Sequence, residues 1–159
     1  RFGERVRRRL ETCPPCPGAI GALTRLSEVG KCHVVSGGAE EELLEVFRAR
    51  GFDRWFRGIH GSPRTKREIL SDLTSTGLMA GPVLFFGDSK LDGEVAHEFG
   101  CDFVFLSGCT EMSGWREWVD ERGIVWAPSF ASLGFDSPTT PLEGERLRDA
   151  SRVGNPEGR

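Results

Sequence analysis

Val83-Leu84-Phe85-Phe86-Gly87-Asp88-Ser89-Lys90-Leu91-Asp92 is the stretch on which the reading of this chain turns. Its first four residues form an uninterrupted apolar run, the pattern of a parallel strand covered on both faces. The run stops at Gly87, and two carboxylates follow, Asp88 and Asp92, near the start of a helix marked by Val95, Ala96 and Phe99 at i, i+1 and i+4. Carboxylates at that spacing can lie on one side of the turn and share a hard cation such as Mg2+, which takes oxygen ligands. They also have a plain local use, Asp88 as an N-cap and Asp92 as a first-turn acid favoured by the helix dipole.

Outward from this stretch, strands and helices alternate. Upstream, Ala19 to Val29 reads as a helix closed by Gly30, Cys32 to Val35 as a buried strand, Ala39 to Arg50 as a helix with Glu40, Glu41 and Glu42 in its first turn, and Phe56 to Ile59 as a short strand. A helix starting at Ser62 or Thr65 carries Ile69, Leu70 and Leu73. Downstream, Phe103 to Leu106 is a further buried strand, Trp115 to Gly123 a helix and Ile124 to Trp126 a last short strand. Such alternation predicts βαβ units and an α/β fold with a mostly parallel sheet.

In open parallel sheets ligands bind beyond the carboxyl ends of the strands, so the polar residues there carry the functional information. The strand ending at Val35 delivers Ser36, Gly37 and Gly38, a hydroxyl and two residues without side-chain bulk ahead of a helix, which is a ready anion site. The plainer reading has Ser36 capping the helix and the glycines making a tight turn. Lys66 is one of three lysines against eighteen arginines. A compact ammonium serves phosphate or carboxylate differently from a planar guanidinium, although a solvated helix lysine is the ordinary alternative.

Taken in order, the apolar run before Ser36-Gly37-Gly38, the segment Ser62-Pro63-Arg64-Thr65-Lys66, and the run before Gly87-Asp88-Ser89-x-x-Asp92 resemble the second, third and fourth motifs of the haloacid dehalogenase (HAD) superfamily of hydrolases. The resemblance covers about Pro14 to Ile124 and looks closest to phosphoglycolate-phosphatase-like members with an early helical cap. It implies a Rossmann-like three-layer parallel sheet and hydrolysis of a small phosphorylated metabolite through an aspartyl-phosphate. It also implies Mg2+ held by Asp88 and Asp92, phosphoryl oxygens held by Ser36, Gly37 and Lys66, and Ser36, Lys66 and Asp92 as catalytic participants. The family's first motif, the Asp-x-Asp that supplies the nucleophile, has no counterpart: none of the eight aspartates (53, 72, 88, 92, 102, 120, 136, 149) is separated from another by a single residue. The expected organisation is a remnant of a helical cap over 1–12, a HAD-like core over 13–135 that is incomplete at its N-terminus, and a disordered or loosely packed tail over 136–159. On this reading the chain is the C-terminal portion of such an enzyme, or a member that has lost its catalytic strand, and is inactive alone. The alternative is a non-catalytic α/β module that binds a phosphorylated ligand or partner. A receiver-like signalling domain also uses strand-end acids, a Ser/Thr and a Lys, but in the reverse order.

Composition narrows the remaining classes. With 21 Lys+Arg against 24 Asp+Glu the formal net charge is -3, which provides no basic field for nucleic acid and no polybasic patch for an acidic membrane. No apolar run approaches the ~20 residues of a membrane span. Five cysteines, an odd number, fit free thiols in a reducing compartment and hence a cytoplasmic protein. Cys13-x-x-Cys16 contains two prolines and follows a helix, so it reads as a hinge with two free thiols rather than a redox or zinc motif. His33 reads as a satisfied buried histidine, His60 as an exposed loop residue and His97 as solvent-facing.

Overall fold

The computed structural model describes residues 12–135. The expectations of a cap remnant over 1–12, Thr12 apart, and of a disordered or loosely packed tail over 136–159 fall outside the described residues. The apolar runs become strands β1 (Cys32–Ala39), β2 (Phe56–Ser62), β3 (Leu84–Gly87), β4 (Asp102–Leu106) and β5 (Val125–Ala127). Between and before them run helices α1 (Ala19–Val29), α2 (Glu40–Ala49), α3 (Lys66–Ser75), α4 (Lys90–Glu98) and α5 (Trp115–Arg122). Among the described residues all strand pairs are parallel, and the fold is α/β and Rossmann-like, as the alternation of elements predicts. Among the described residues no helix is long and apolar enough to cross a membrane.

The strands form two ladders, β1-β2 and β3-β4-β5. In the second, Phe86 pairs with Val104, Gly87 with Phe105, and Val104 in turn with Val125. The apolar side chains of these strands meet helix faces of the i, i+1, i+4 type. Phe105, Ile69, Leu70, Val95 and Val119 are the largest fully buried side chains, and Phe105, Trp118 and Val119 centre a cluster lined by Phe103, Met112, Trp115, Ile124 and Trp126.

Two local expectations change. Ser36-Gly37-Gly38 is not a tight turn: β1 runs on through Ala39, and neither glycine has a positive φ. The register passes from Val35↔His60 to Ala39↔Ser62, so four steps along β1 face two along β2 and the segment is a bulge. His60 is not in an exposed loop. It lies half-buried on β2, where its ring stacks on that of His33 with centroids 5.4 Å apart.

Candidate active site

The helix that follows β3 begins with a capping box. Ser89 Oγ accepts from the Asp92 backbone N–H (3.2 Å), and Asp92 Oδ2 accepts from the Ser89 N–H (3.2 Å) and hydroxyl (2.7 Å). The N-cap is therefore Ser89, which leaves Asp88 free of that duty. Asp92 Oδ2 also accepts from the Asp88 N–H at 3.3 Å, so the carboxylate folds back over the end of β3. The fold-back explains Gly87. A Cβ there would stand 2.4 Å from Asp92 Cβ and 2.6 Å from its Cγ.

The second oxygen of Asp92, Oδ1, forms an ion pair with Lys66 Nζ. Lys66 is the first residue of α3, whose own capping box joins Thr65 and Glu68. The side chains are 19% and 4% exposed, so the ammonium is fixed rather than solvated. The pair links the helix after β2 to the helix after β3. Truncating Asp92 would leave a mostly buried ammonium and several donors unmatched, a change that approaches the about 3–5 kcal/mol of a broken buried pair.

Asp88 sits beside this pair, half-buried at the end of β3. Burial pushes its carboxyl above the usual carboxylate range and the neighbouring Asp92 charge adds to the shift, while its own backbone N–H and Lys66 pull the other way. The charge of Glu111 adds a smaller upward contribution. A cation brought to Asp88 would relieve what burial and Asp92 impose. Among the described residues no group of three or more His, Cys, Asp or Glu side chains is placed to hold a metal ion.

Lys66, Asp88 and Asp92 thus form one contact set. Ser36 stands in the β1 bulge, its Oγ accepting from the Gly38 N–H at 3.1 Å, and does not cap α2, whose N-cap is Ala39. Gly37 is exposed, with nothing within 4 Å of where a Cβ would point, and its backbone is open to a ligand.

A second polar group lies at the same end of β1 and β2 and was not legible in the sequence. Glu40 Oε2 accepts from the Gly61 N–H (2.9 Å) and from Arg64 (2.8 Å), and these two bonds hold Glu40 below the usual carboxylate range. Arg64 also reaches Asp72 (3.2 Å) and His60 Nδ1 (3.5 Å), and His60 Nε2 lies 3.1 Å from His33 Nδ1. The signal available in the sequence was Arg64 itself, between the quoted Ser62 and Lys66. Gly61 is required because a Cβ there would lie 2.4 Å from the Gly38 carbonyl oxygen.

No protein-family model matches this sequence and no curated protein matches it. Among solved structures it is similar to a HAD-superfamily hydrolase from Ehrlichia chaffeensis, with 24% identity and a TM-score of 0.58 over 74% of this chain and 55% of that one. The chain therefore spans about half the length of that hydrolase. The likeness shows a HAD-like fold.

Proposed function

We propose that this chain is the phosphate-holding and metal-holding part of a HAD-type phosphohydrolase that acts on a small phosphomonoester, with the attacking aspartate supplied by residues outside the 159. The observation that carries the reading is the convergence of Lys66, Asp88 and Asp92, from two different helix starts, on one half-buried point beyond the end of β3. Ligands of parallel sheets bind at such ends.

Each residue has a role its surroundings support. Asp92, with both oxygens already bonded, is a positioning residue that fixes the Lys66 ammonium. Lys66 offsets negative charge that builds on the phosphoryl oxygens, a preorganised electrostatic contribution. The Ser36 hydroxyl and the open Gly37 backbone hold further phosphoryl oxygens. Asp88, whose oxygens accept only from its own backbone N–H among the described residues, fits Mg2+ as a single carboxylate ligand. That ion commonly takes one or two carboxylates and completes its coordination from water and substrate phosphate. Bound there, Mg2+ would supply charge neutralisation at the ester. The implied chemistry is nucleophilic catalysis through an aspartyl-phosphate, which divides one difficult displacement into two easier ones.

The test is Mg2+-dependent turnover of p-nitrophenyl phosphate by the longest natural polypeptide that contains these residues. Hydrolysis is expected, with Asp88→Ala lowering it by roughly 100-fold or more, whereas the 159-residue chain alone turns nothing over. Unchanged turnover in Asp88→Ala removes Asp88 from the metal role. The lack of any Asp-x-Asp among the eight aspartates favours one second reading, a non-catalytic module for a phosphorylated ligand. Phosphate binding by the longer polypeptide without turnover would select it.

A further inference from the structure

Cys16 was expected to belong with Cys13 in a hinge of free thiols, yet its sulfur lies against a different partner. Cys16 Sγ is 3.1 Å from Cys109 Sγ, across 93 residues of sequence. Both positions are set by backbone on either side. The segment carrying Cys16 is docked by the hydrogen bond from the Ala131 N–H to the Pro17 carbonyl (3.0 Å), and Gly18 packs so closely on Ala131 that a Cβ there would lie 2.2 Å from its nitrogen. The loop carrying Cys109 is pinned to the end of β5, with the Ser107 N–H bonded to the Ala127 carbonyl (2.9 Å) and the Gly108 N–H to the Pro128 carbonyl (3.0 Å). Cys109 is exposed and Cys16 half-buried, so an oxidant can reach the pair.

We propose that Cys16 and Cys109 are a redox-active pair that closes to a reversible intramolecular disulfide, joining the segment before α1 to the loop after β4. A sulfur separation of 3.1 Å is about one ångström from the ~2.05 Å bond and shorter than the roughly 3.8 Å at which two thiolates share a tetrahedral zinc ion. The proposal stands apart from the phosphohydrolase reading and needs no part of it.

The chemistry balances with a peroxide or with a small-molecule disulfide as oxidant. With hydrogen peroxide, the Cys16 thiolate attacks one oxygen, the O–O bond breaks, and a sulfenic acid and one water result after proton transfer. The Cys109 sulfur then attacks the sulfenic sulfur, the S–O bond breaks and a second water leaves, so two thiols are oxidised and one peroxide is reduced. The order follows from the surroundings. Burial, the hydrogen bond with Cys16 and the charge of a Cys16 thiolate push Cys109 up to about 12, which keeps it a thiol while Cys16 is reduced. Once Cys16 is oxidised its thiolate charge is gone, and the Cys109 sulfur, 3.1 Å away, closes the bond as its proton leaves with the second water.

The experiment treats the full chain with hydrogen peroxide, and separately with oxidised glutathione, then quenches, denatures and counts thiols with a maleimide before peptide mapping. The expected count falls from five to three and returns to five with dithiothreitol, and mapping finds Cys16 joined to Cys109 within one chain. Cys13→Ser preserves that crosslink, and Cys109→Ser removes it. A count that stays at five, a Cys13–Cys16 bond in the unmutated chain, or only glutathione adducts and bonds between chains would each overturn the proposal. Should Cys109→Ser fail to fold, the mapping of the unmutated chain still decides.

Discussion

At Gly87 a methyl group has no room. The built Cβ falls 2.4 Å from Asp92 Cβ, and both are set by backbone, Gly87 on β3 and Asp92 in the first turn of α4. Gly87→Ala is therefore expected to lift Asp92 away from Lys66 and Ser89, at an overpacking cost of about 1–3 kcal/mol. Urea unfolding measures it, and an unmoved midpoint would contradict this account of the glycine. Asp88 next door argues in the opposite direction. Its folded pKa is raised above the unfolded value, so in the window between the two the folded state binds more protons. Stability then falls as pH rises through that window, and the penalty is fully present above the raised folded value. Asp88→Asn removes the charge and should raise the melting temperature of the metal-free protein at pH 7 while abolishing Mg2+-dependent turnover in the longer polypeptide. A lower melting temperature would show that the ionised carboxylate stabilises the fold.

The elements were mostly readable because their apolar residues repeat at the spacing each type of backbone demands. Cys32-His33-Val34-Val35 and Val83 to Phe86 gave β1 and β3 to within a few residues at each end, and Ile69, Leu70 and Leu73 gave the buried face of α3. What escaped depends on partners far away in sequence. The bulge at Ser36-Gly37-Gly38 is a property of register against β2, so residues that favour turns could not reveal it. His60, beside Gly61 and Ser62, looked like a loop residue, but the glycines around it serve close approach: at Gly58 a Cβ would stand 2.5 Å from His60 Nε2 and 3.0 Å from His33 Nδ1, and at Gly61 2.4 Å from the Gly38 carbonyl oxygen. Lys66 and the Asp88/Asp92 pair were legible as motifs, while the Lys66–Asp92 ion pair and the Cys16–Cys109 approach exist only once the chain is folded. The β1-β2 pair of histidines makes a prediction of its own. Burial first, then like charges (His60, Arg57 and Lys31 on His33, Arg64 on His60), lowers both pKa values below 6.5, with Glu40 and Asp72 opposing at His60. The folded state thus binds fewer protons than the unfolded chain, and stability drops as pH falls from the unfolded value of about 6.5 toward the folded ones. Glu40 and Glu68, whose pKa values are lowered, lose their contributions only at more acid pH, below the unfolded carboxylate value. Urea midpoints between pH 7 and 5 should therefore decline in the unmutated chain and decline less in His60→Gln. Equal slopes would remove the histidines as the cause.

Over the whole molecule the parallel strands divide into a two-stranded and a three-stranded ladder, and the connection between them is made by side chains. The Lys66–Asp92 pair is mostly buried, whereas the Arg67–Glu98 pair between the same two helices is about half exposed on both sides and belongs to a class worth about 0–1 kcal/mol. Phe86 packs on Phe130 at 5.0 Å between centroids, anchoring the end of β3 to the segment after β5. Among the described residues β1 has a ladder partner only in β2, and β3 only in β4, so each keeps one edge of N–H and C=O groups outside any ladder. Where such groups are shielded from water and unmatched, each costs about 1–3 kcal/mol, and where they face water they offer a template for another strand. Either way the 159-residue chain by itself should be weakly cooperative and prone to associate. Sedimentation equilibrium over a concentration series, together with urea unfolding followed by both tryptophan fluorescence and circular dichroism, tests this. Concentration-dependent mass and transitions that do not coincide between the two probes are expected. A monodisperse monomer with one sharp, coincident transition would show that the two ladders satisfy their edges without a further strand.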